Sequence, residues 1–478
     1  MDNSANKPLI AIDRIDNTPV YRQIYERFRE AIAQGLLQPG DRVPSLRNLS
    51  AELHVARGTV ETAYEMLIGE GYFLPRGQAG TVIASILQLQ HHAMASIPEP
   101  KQGASLGSAD IHSALPAPFQ LGLPALDAFP RKTWAKLGAQ LLKSANIAEH
   151  NYPDVKGLPA LRKALAAYLQ VSRGVACSPE QIIVMGGHRD SLNLISRAFL
   201  QSGDEIWMED PGYFAARDLL GTTGKLVSLP VDDEGMAVSA GVAQAPQARL
   251  ALVTPSHQSP LGVTLSLARR LELLEWAAKN RSWIVEDDYD GEYRYASRPL
   301  PALKSLDRED RVIYAGTLSK VLSPALRLAY LVVPASQLAH VEQICRVSHG
   351  GCPWLTQAIA AQFISKGHFS RHLKRMRSLY AERRQMLADA LTEAFGPRIR
   401  LNLQAGGMHL LMRFNEACDD KALQKELNAA GLAVHALSNW TVQHDCGQGL
   451  LMGFTNICTA EEAGKLVMRL KATIDGDS

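Results

Sequence analysis

At 478 residues, with 46% hydrophobic and 21% charged side chains and a formal net charge of +2, the chain reads as a soluble globular protein long enough for about three domains. No apolar run approaches the ~18 to 20 residues of a membrane helix, and the polar start MDNSANK has no signal-peptide pattern, so the expected location is cytoplasmic. The six cysteines (Cys177, Cys345, Cys352, Cys418, Cys446, Cys458) are scattered, with no C-x-x-C pair and no histidine at ligand spacing, which argues against a disulfide framework and a zinc site.

From Pro19 to Gln34, apolar residues at positions 20, 24, 28 and 32 predict a helix. Ser45 is placed to cap a second helix starting near Leu46, and a tight turn leads into a third over ARGTVETAYEMLIGEGY. A longer helix followed by two shorter ones is a helix-turn-helix plan. The tail GYFLPRGQAGTVIA reads as two short strands around a Gly-rich turn, a wing, and the module is expected over 12–84. Residues 1–85 hold nine Lys and Arg against ten Asp and Glu, net −1, whereas a DNA-binding domain usually carries a basic excess. A helical protein-interaction module is the bland alternative.

Residues 85–118 contain three charged side chains (Glu99, Lys101, Asp110) and no aromatic, too little to build a core, so they are expected to be a flexible linker. As a coil it would span about 30–35 Å. The body is expected over 119–478. Alternating strands and helices across 160–335 imply a mainly parallel sheet covered on both faces, with a site at the strand carboxyl ends. After Cys352, long helices (for example 368–395) and short strands suggest a smaller subdomain.

Within the body, YAGTLSKVLSPALRLAYLVVP carries the chemistry. A lysine ammonium among small and apolar residues loses hydration, which lowers its pKa and exposes a free amine able to form a Schiff base; Lys320 has that setting. Thr317, Ser319 and Arg327 bracket it with two hydroxyls and a guanidinium, groups that hold a phosphate. An aldehyde with a phosphate beside it describes pyridoxal 5'-phosphate. In WIVEDDYDGEYRY, 33 residues earlier, Asp287 is the choice to keep the pyridinium nitrogen protonated, and Tyr289 to donate to the ring's phenolic oxygen. IIVMGGHRDSLNLISRAFL reads as strand, glycine turn and helix, where the amides of Gly186, Gly187 and His188 can receive a phosphate.

The first part of the chain, GLLQPGDRVPSLRNLSAELHVARGTVETAYEMLIGEGY, resembles the GntR winged-helix regulators. The remainder resembles a fold-type I aminotransferase, and the combination is similar to the MocR-type branch of the GntR family. That resemblance implies an α+β winged helix-turn-helix domain, then an α/β PLP-dependent transferase domain with a small C-terminal α+β subdomain. It assigns Arg57, Gly58, Thr59 and Thr62 to the DNA face of the recognition helix. Ser45 and Arg47 would approach from the preceding helix, and Arg76 and Thr81 belong to the wing. Arg42, Arg47, Arg57 and Arg76 thus fall on segments expected to meet DNA, and Glu61, Glu65 and Glu70 follow later.

In the body, the resemblance puts Tyr152 in a Y-x-x-x-x-G-x-x-x-L-R stretch whose tyrosine reaches the phosphate in the neighbouring subunit, and Tyr213 over the cofactor ring. Ser259 stands before Pro260 where the family has an asparagine on the phenolic oxygen, so that contact is weaker or moves to His257 or Gln258. Leu451 takes the slot of the arginine that clamps a substrate carboxylate, and the loop with Asn439 faces the same pocket by analogy. Losing that charge-assisted pair removes about 1.5–3 kcal/mol. The implied function is a regulator, acting as a domain-swapped homodimer, that senses PLP or a small amine or amino-acid effector. The alternatives are a working aminotransferase carrying a DNA-binding head and an adaptor with a dead pocket.

Overall fold

The structure, a computed structural model, describes residues 12–14, 16, 18–84, 115–295 and 301–476. Most of the expected linker, 85–114, lies outside the described residues. The chain divides into two compact units, Met1–Ala109 and Asp110–Ser478.

In the first unit, helices α1 (Val20–Ala33), α2 (Leu46–Leu53) and α3 (Arg57–Gly69) precede the antiparallel strands β1 (Phe73–Pro75) and β2 (Thr81–Ile83). The period of α1 buries Ile24, Phe28 and Ile32 on one side. Phe28, Tyr64 and Phe73 meet edge to face, with centroids 5.0–5.7 Å apart, and lock α1, α3 and the wing together. Truncating Phe28 at this junction would cost about 3–5 kcal/mol. The Ser45 hydroxyl accepts from Asn48 N (3.2 Å) and caps α2, and His54 closes the turn to α3 with left-handed backbone (φ 51°).

The second unit begins with helices α4 (Arg131–Ser144) and α5 (Pro159–Arg173). Strand β3 (Ile182–Met185), helix α6 (His188–Phe199), strand β4 (Glu205–Asp210) and helix α7 (Phe214–Leu220) follow, then β5 (Lys225–Asp232), β6 (Gly235–Met236), α8 (Val238–Gln244) and β7 (Leu250–Val253). Helix α9 (Leu267–Asn280) leads to β8 (Trp283–Asp288), β9 (Val312–Thr317) and β10 (Ala329–Val332). These strands form one sheet in the order β3-β10-β9-β8-β7-β4-β5-β6, parallel from β9 through β5 and antiparallel at β10 and β6. The central strands are apolar runs because helices cover both faces of the sheet.

Helices α10 (Leu338–Ser348), α11 (Trp354–Ser365) and the 28-residue α12 (His368–Phe395) lead into the smaller part. There β11 (Ile399–Asn402), β12 (His409–Phe414), α13 (Asp420–Ala429), β13 (His435–Ala436), β14 (Leu450–Gly453) and α14 (Ala460–Asp475) build a four-stranded antiparallel sheet, order β11-β12-β14-β13. The segment before α4 is clamped to it: Gly453 N donates to Phe119 O (2.8 Å) and Ala433 N to Pro118 O (2.8 Å).

Candidate functional site

Strand register explains how residues distant in sequence meet. Ala329, first in β10, pairs with Thr317 at the end of β9 and with Met185 at the end of β3. Arg327, two residues before Ala329, therefore returns to the glycine turn two residues after Met185. A Cβ added to Gly187 (φ 144°) would meet Arg327 Nη2 at 2.5 Å, so the guanidinium lies directly against the N-terminus of α6. Arg327 has left-handed backbone (φ 50°), a strain of about 1–2 kcal/mol for a non-glycine residue. Thr317 is buried, and its hydroxyl accepts from Ser319 N (3.1 Å), which shapes the turn before Lys320.

Lys320 Nζ donates to Gly122 O (2.6 Å). Burial lowers its pKa, with Asp290 and Asp287 pulling the other way. Gly122 (φ 75°) leaves room for that approach, since a Cβ there would sit 2.6 Å from Nζ. Reading the sequence did not single it out. The only local signal is a glycine between two leucines in FQLGLPAL.

Strand alternation sorts the acidic cluster at the end of β8. Glu286 and Asp288 point to one face and serve the fold. Glu286 accepts from the amides of Leu303 and Lys304 (both 2.8 Å), and burial pushes its pKa up to about 7. Asp288 is buried against Arg173 (2.6 Å) and accepts from Tyr314 Oη (2.5 Å). Asp287 points to the opposite face, toward the glycine turn, where His188 Nε2 lies 3.3 Å from its Oδ2. Burial raises the Asp287 pKa, while His188 and Lys320 favour its charged form. The His188 ring lies 6.0 Å from the Tyr213 ring.

The loop after β7 assigns separate tasks to its three polar residues. The Gln258 amide ties the loop to the end of β4, donating to Pro211 O (2.8 Å) and Glu209 Oε2 (3.3 Å), and within the loop it donates to Ser259 O (2.9 Å) and accepts from Leu261 N (3.0 Å). His257 Nδ1 lies 3.0 Å from Tyr289 Oη and 3.1 Å from Asp290 Oδ2. Ser259 hydrogen-bonds the Tyr289 hydroxyl, whose pKa burial raises well above 10. His257 and Ser259 thus each reach the Tyr289 hydroxyl.

Leu451 is fully buried in an apolar cluster with Leu411, Leu437 and Trp440, onto which Leu121, Tyr213 and Phe214 pack. The loop with Asn439 packs against this cluster through Leu437 and Trp440, while Asn439 itself is exposed and its amide donates to Gln424 Oε1 (3.0 Å). Asp210 holds the loop by accepting from the amides of Val442 (2.8 Å), Gln443 (2.7 Å) and His444 (3.0 Å). Tyr152 is 96% exposed and meets none of these groups within its own chain.

In the first unit, Ser45, Arg47, Arg57, Gly58, Thr62 and Arg76 are exposed and Thr59 is half-buried. The Ser45 hydroxyl is already engaged as the α2 cap, and Thr62 Oγ1 donates to Gly58 O (2.9 Å). Arg57 opens α3, and Arg76 lies in the wing turn, its N donating to Gly80 O (2.7 Å). Glu70 is bound by the Tyr25 hydroxyl (2.6 Å) on α1.

The body residues fit pyridoxal phosphate: a desolvated amine over a glycine cradle, a guanidinium against a helix N-terminus, and a buried carboxylate beside a buried phenol. No group of three or more His, Cys, Asp or Glu suited to a metal occurs among the described residues. None of their helices is long and apolar enough to cross a membrane.

Residues 20–83 match the family of bacterial regulatory proteins named gntR, and residues 123–460 match aminotransferase class I and II. The chain is 37% identical to the probable rhizopine catabolism regulatory protein MocR of Rhizobium meliloti, over 94% of this chain and 92% of that one. It is 32% identical to the HTH-type pyridoxine biosynthesis transcriptional regulator PdxR of Corynebacterium glutamicum, over 93% and 94%. Among solved structures, the multiple substrate aminotransferase of Thermococcus profundus superposes with a TM-score of 0.69 at 29% identity, covering 77% of this chain and 93% of that one. With both segments matched and the relatives aligned nearly end to end, the chain belongs to the MocR-type branch of the GntR regulators, in which a winged helix-turn-helix head is joined to an aminotransferase-like body.

Proposed function

We propose that this chain is a cytoplasmic transcriptional regulator that binds operator DNA through its head and holds pyridoxal phosphate on Lys320 in its body. In this reading occupancy of the body, by the cofactor alone or with a small amine effector, alters operator binding. The observation that carries it is the Lys320 amine, desolvated and directed at Gly122 O, in a chain that also carries a gntR-type head. Arg327 and the amides at the start of α6 would take the phosphate, Asp287 would hold a proton on the ring nitrogen, Tyr289 would face the phenolic oxygen and Tyr213 would stack on the ring. Bound pyridoxal phosphate supplies an aldehyde that captures primary amines and a ring that withdraws electrons. On the DNA side, Arg57 would read a base edge from α3 while Ser45, Arg47, Gly58, Thr59, Thr62 and Arg76 position the backbone. The working unit is a homodimer, a reading supported by the exposed Tyr152, whose side chain reaches none of the cofactor-site groups of its own chain. Coupling between the two sites must be a difference in ligand affinity between two states, typically 1–3 kcal/mol.

Borohydride reduction of the cofactor-loaded protein tests the body, and operator binding with and without cofactor tests the coupling. The expected results are cofactor mass on the peptide containing Lys320, and a cofactor-dependent operator affinity that Lys320→Ala abolishes. An unmodified Lys320, or operator affinity that survives deletion of residues 1–84, overturns the reading. Likeness to working aminotransferases favours a second reading, turnover; stoichiometric formation of pyridoxamine phosphate from an amino acid would establish it.

A further inference from the structure

The head is poor in positive charge for a DNA reader, with net −1 over residues 1–85. The missing charge is concentrated elsewhere. In the body, Arg131–Ser144 carries four Lys and Arg and no acid, and Trp354–Ala381 carries five and no acid. These are α4, α11 and the first half of α12, and they are packed side by side. The Trp134 ring lies 5.8 Å from that of Phe363, which stacks on His368 at 5.6 Å, so one aromatic column ties α4 through α11 to the first turn of α12.

Lys132 and Lys136 stand one helical turn apart on α4, and Arg371, Lys374 and Arg375 form one stripe on α12, with Lys366 just before it. All six are exposed, and among the described residues none forms an ion pair. Burial together with the charges of Arg371, Lys366 and Lys136 pushes the His368 pKa down, so cations of both helices act on the same spot. A solvated charged face ordinarily mixes signs, because like charges at this spacing repel. Arg371 also occupies the first turn of a helix, where the dipole already disfavours a cation. Folding alone does not account for this placement.

We propose that this face of the body binds the phosphate backbone of duplex DNA flanking the sequence read by the head, supplying the electrostatic affinity that the head lacks. The inference rests on the proposed function. A regularly charged polyanion suits the site because the cations are spread along two helices on an open face, which is how a backbone is tracked. Contacts of this kind carry no sequence information. They raise affinity for long duplexes and steepen its dependence on salt.

The test uses the full-length protein, fluorescence anisotropy, and two duplexes: one limited to the footprinted operator, one with about 20 base pairs added on each side, roughly two helical turns. In the variant Lys136→Gln, Lys366→Gln, Arg371→Gln, Lys374→Gln, affinity for the long duplex falls tenfold or more, and the slope of log affinity against log salt drops by about 3–4. Affinity for the short duplex, melting temperature and cofactor absorbance stay at wild-type values. An unchanged long-duplex affinity and slope overturns the proposal. So does an equal loss on both duplexes, or transfer of the charge-dependent binding to phosphatidylserine vesicles. Failure of the regulator reading has a separate signature, in that Arg57→Ala would leave short-duplex binding intact.

Discussion

His257 Nδ1 lies 3.0 Å from the hydroxyl oxygen of Tyr289, and the same nitrogen is 3.1 Å from Asp290 Oδ2. The tautomer with the proton on Nδ1 directs that N–H at the Tyr289 hydroxyl, while the buried Asp290 oxygens beside it form no hydrogen bond among the described residues. Tyr289 Oη then receives Nδ1–H and the Ser259 hydroxyl, leaving its own O–H free to donate. The arrangement makes Tyr289 a better donor to whatever oxygen faces it. With the cofactor's phenolic oxygen there, His257→Phe raises the pH midpoint of the visible absorbance change by about 0.5–1 unit. A midpoint that stays put or falls in His257→Phe contradicts this.

The charges acting on Lys320 are the carboxylates Asp290 and Asp287, and Leu451 contributes an apolar wall with Leu411, Leu437 and Trp440. A carboxylate brought there meets like charge and hydrocarbon, and both disfavour it. Titrated against the cofactor absorbance and corrected for the fraction of free amine, n-butylamine is expected to bind about tenfold more tightly than L-norvaline, a difference of about 1.4 kcal/mol. Tighter binding of norvaline refutes the expectation.

His409 lies behind the same loop, with Nε2 2.9 Å from Pro260 O and its ring 5.7 Å from that of His257. Burial, reinforced by His257, pushes its pKa down to about 4. A histidine with a depressed folded pKa binds fewer protons in the native state than when unfolded. Its contribution to stability is therefore complete above about 6.5, the unfolded value, and is lost as pH falls toward 4. Over that window the wild type loses on the order of 2–3 kcal/mol more than His409→Gln. Thermal melts at pH 7 and pH 4.5 measure this, and parallel losses in the two proteins would exclude it.

Local pattern made much of this molecule readable. The period of α1, the Ser45 cap and the Gly-rich wing turn located the head's elements, because each is specified by neighbours within a few residues. The lysine turn and the acidic strand end were likewise visible as motifs. Within WIVEDDYDGEYRY, Asp287 was chosen as an acidic residue at a strand's end, but the text alone does not say which side of a strand faces the pocket. The register of β10 against β3 and β9 brings Arg327 to Gly187, and no short-range signal encodes a pairing across more than a hundred residues. The anchoring of the Asn439 loop by Asp210 is equally absent from local pattern, because Asp210 and Val442 are far apart in the chain.

The sequence by itself determined the two-part plan and the lysine turn, since these follow from composition and periodicity along a single segment. Only the tertiary structure decided that Gly122 lies under Lys320, that His257 stands between Tyr289 and Asp290, and that the cations of α4 and α12 share one face. Those relationships arise from packing between segments far apart in the chain, and packing is a property of the assembled core.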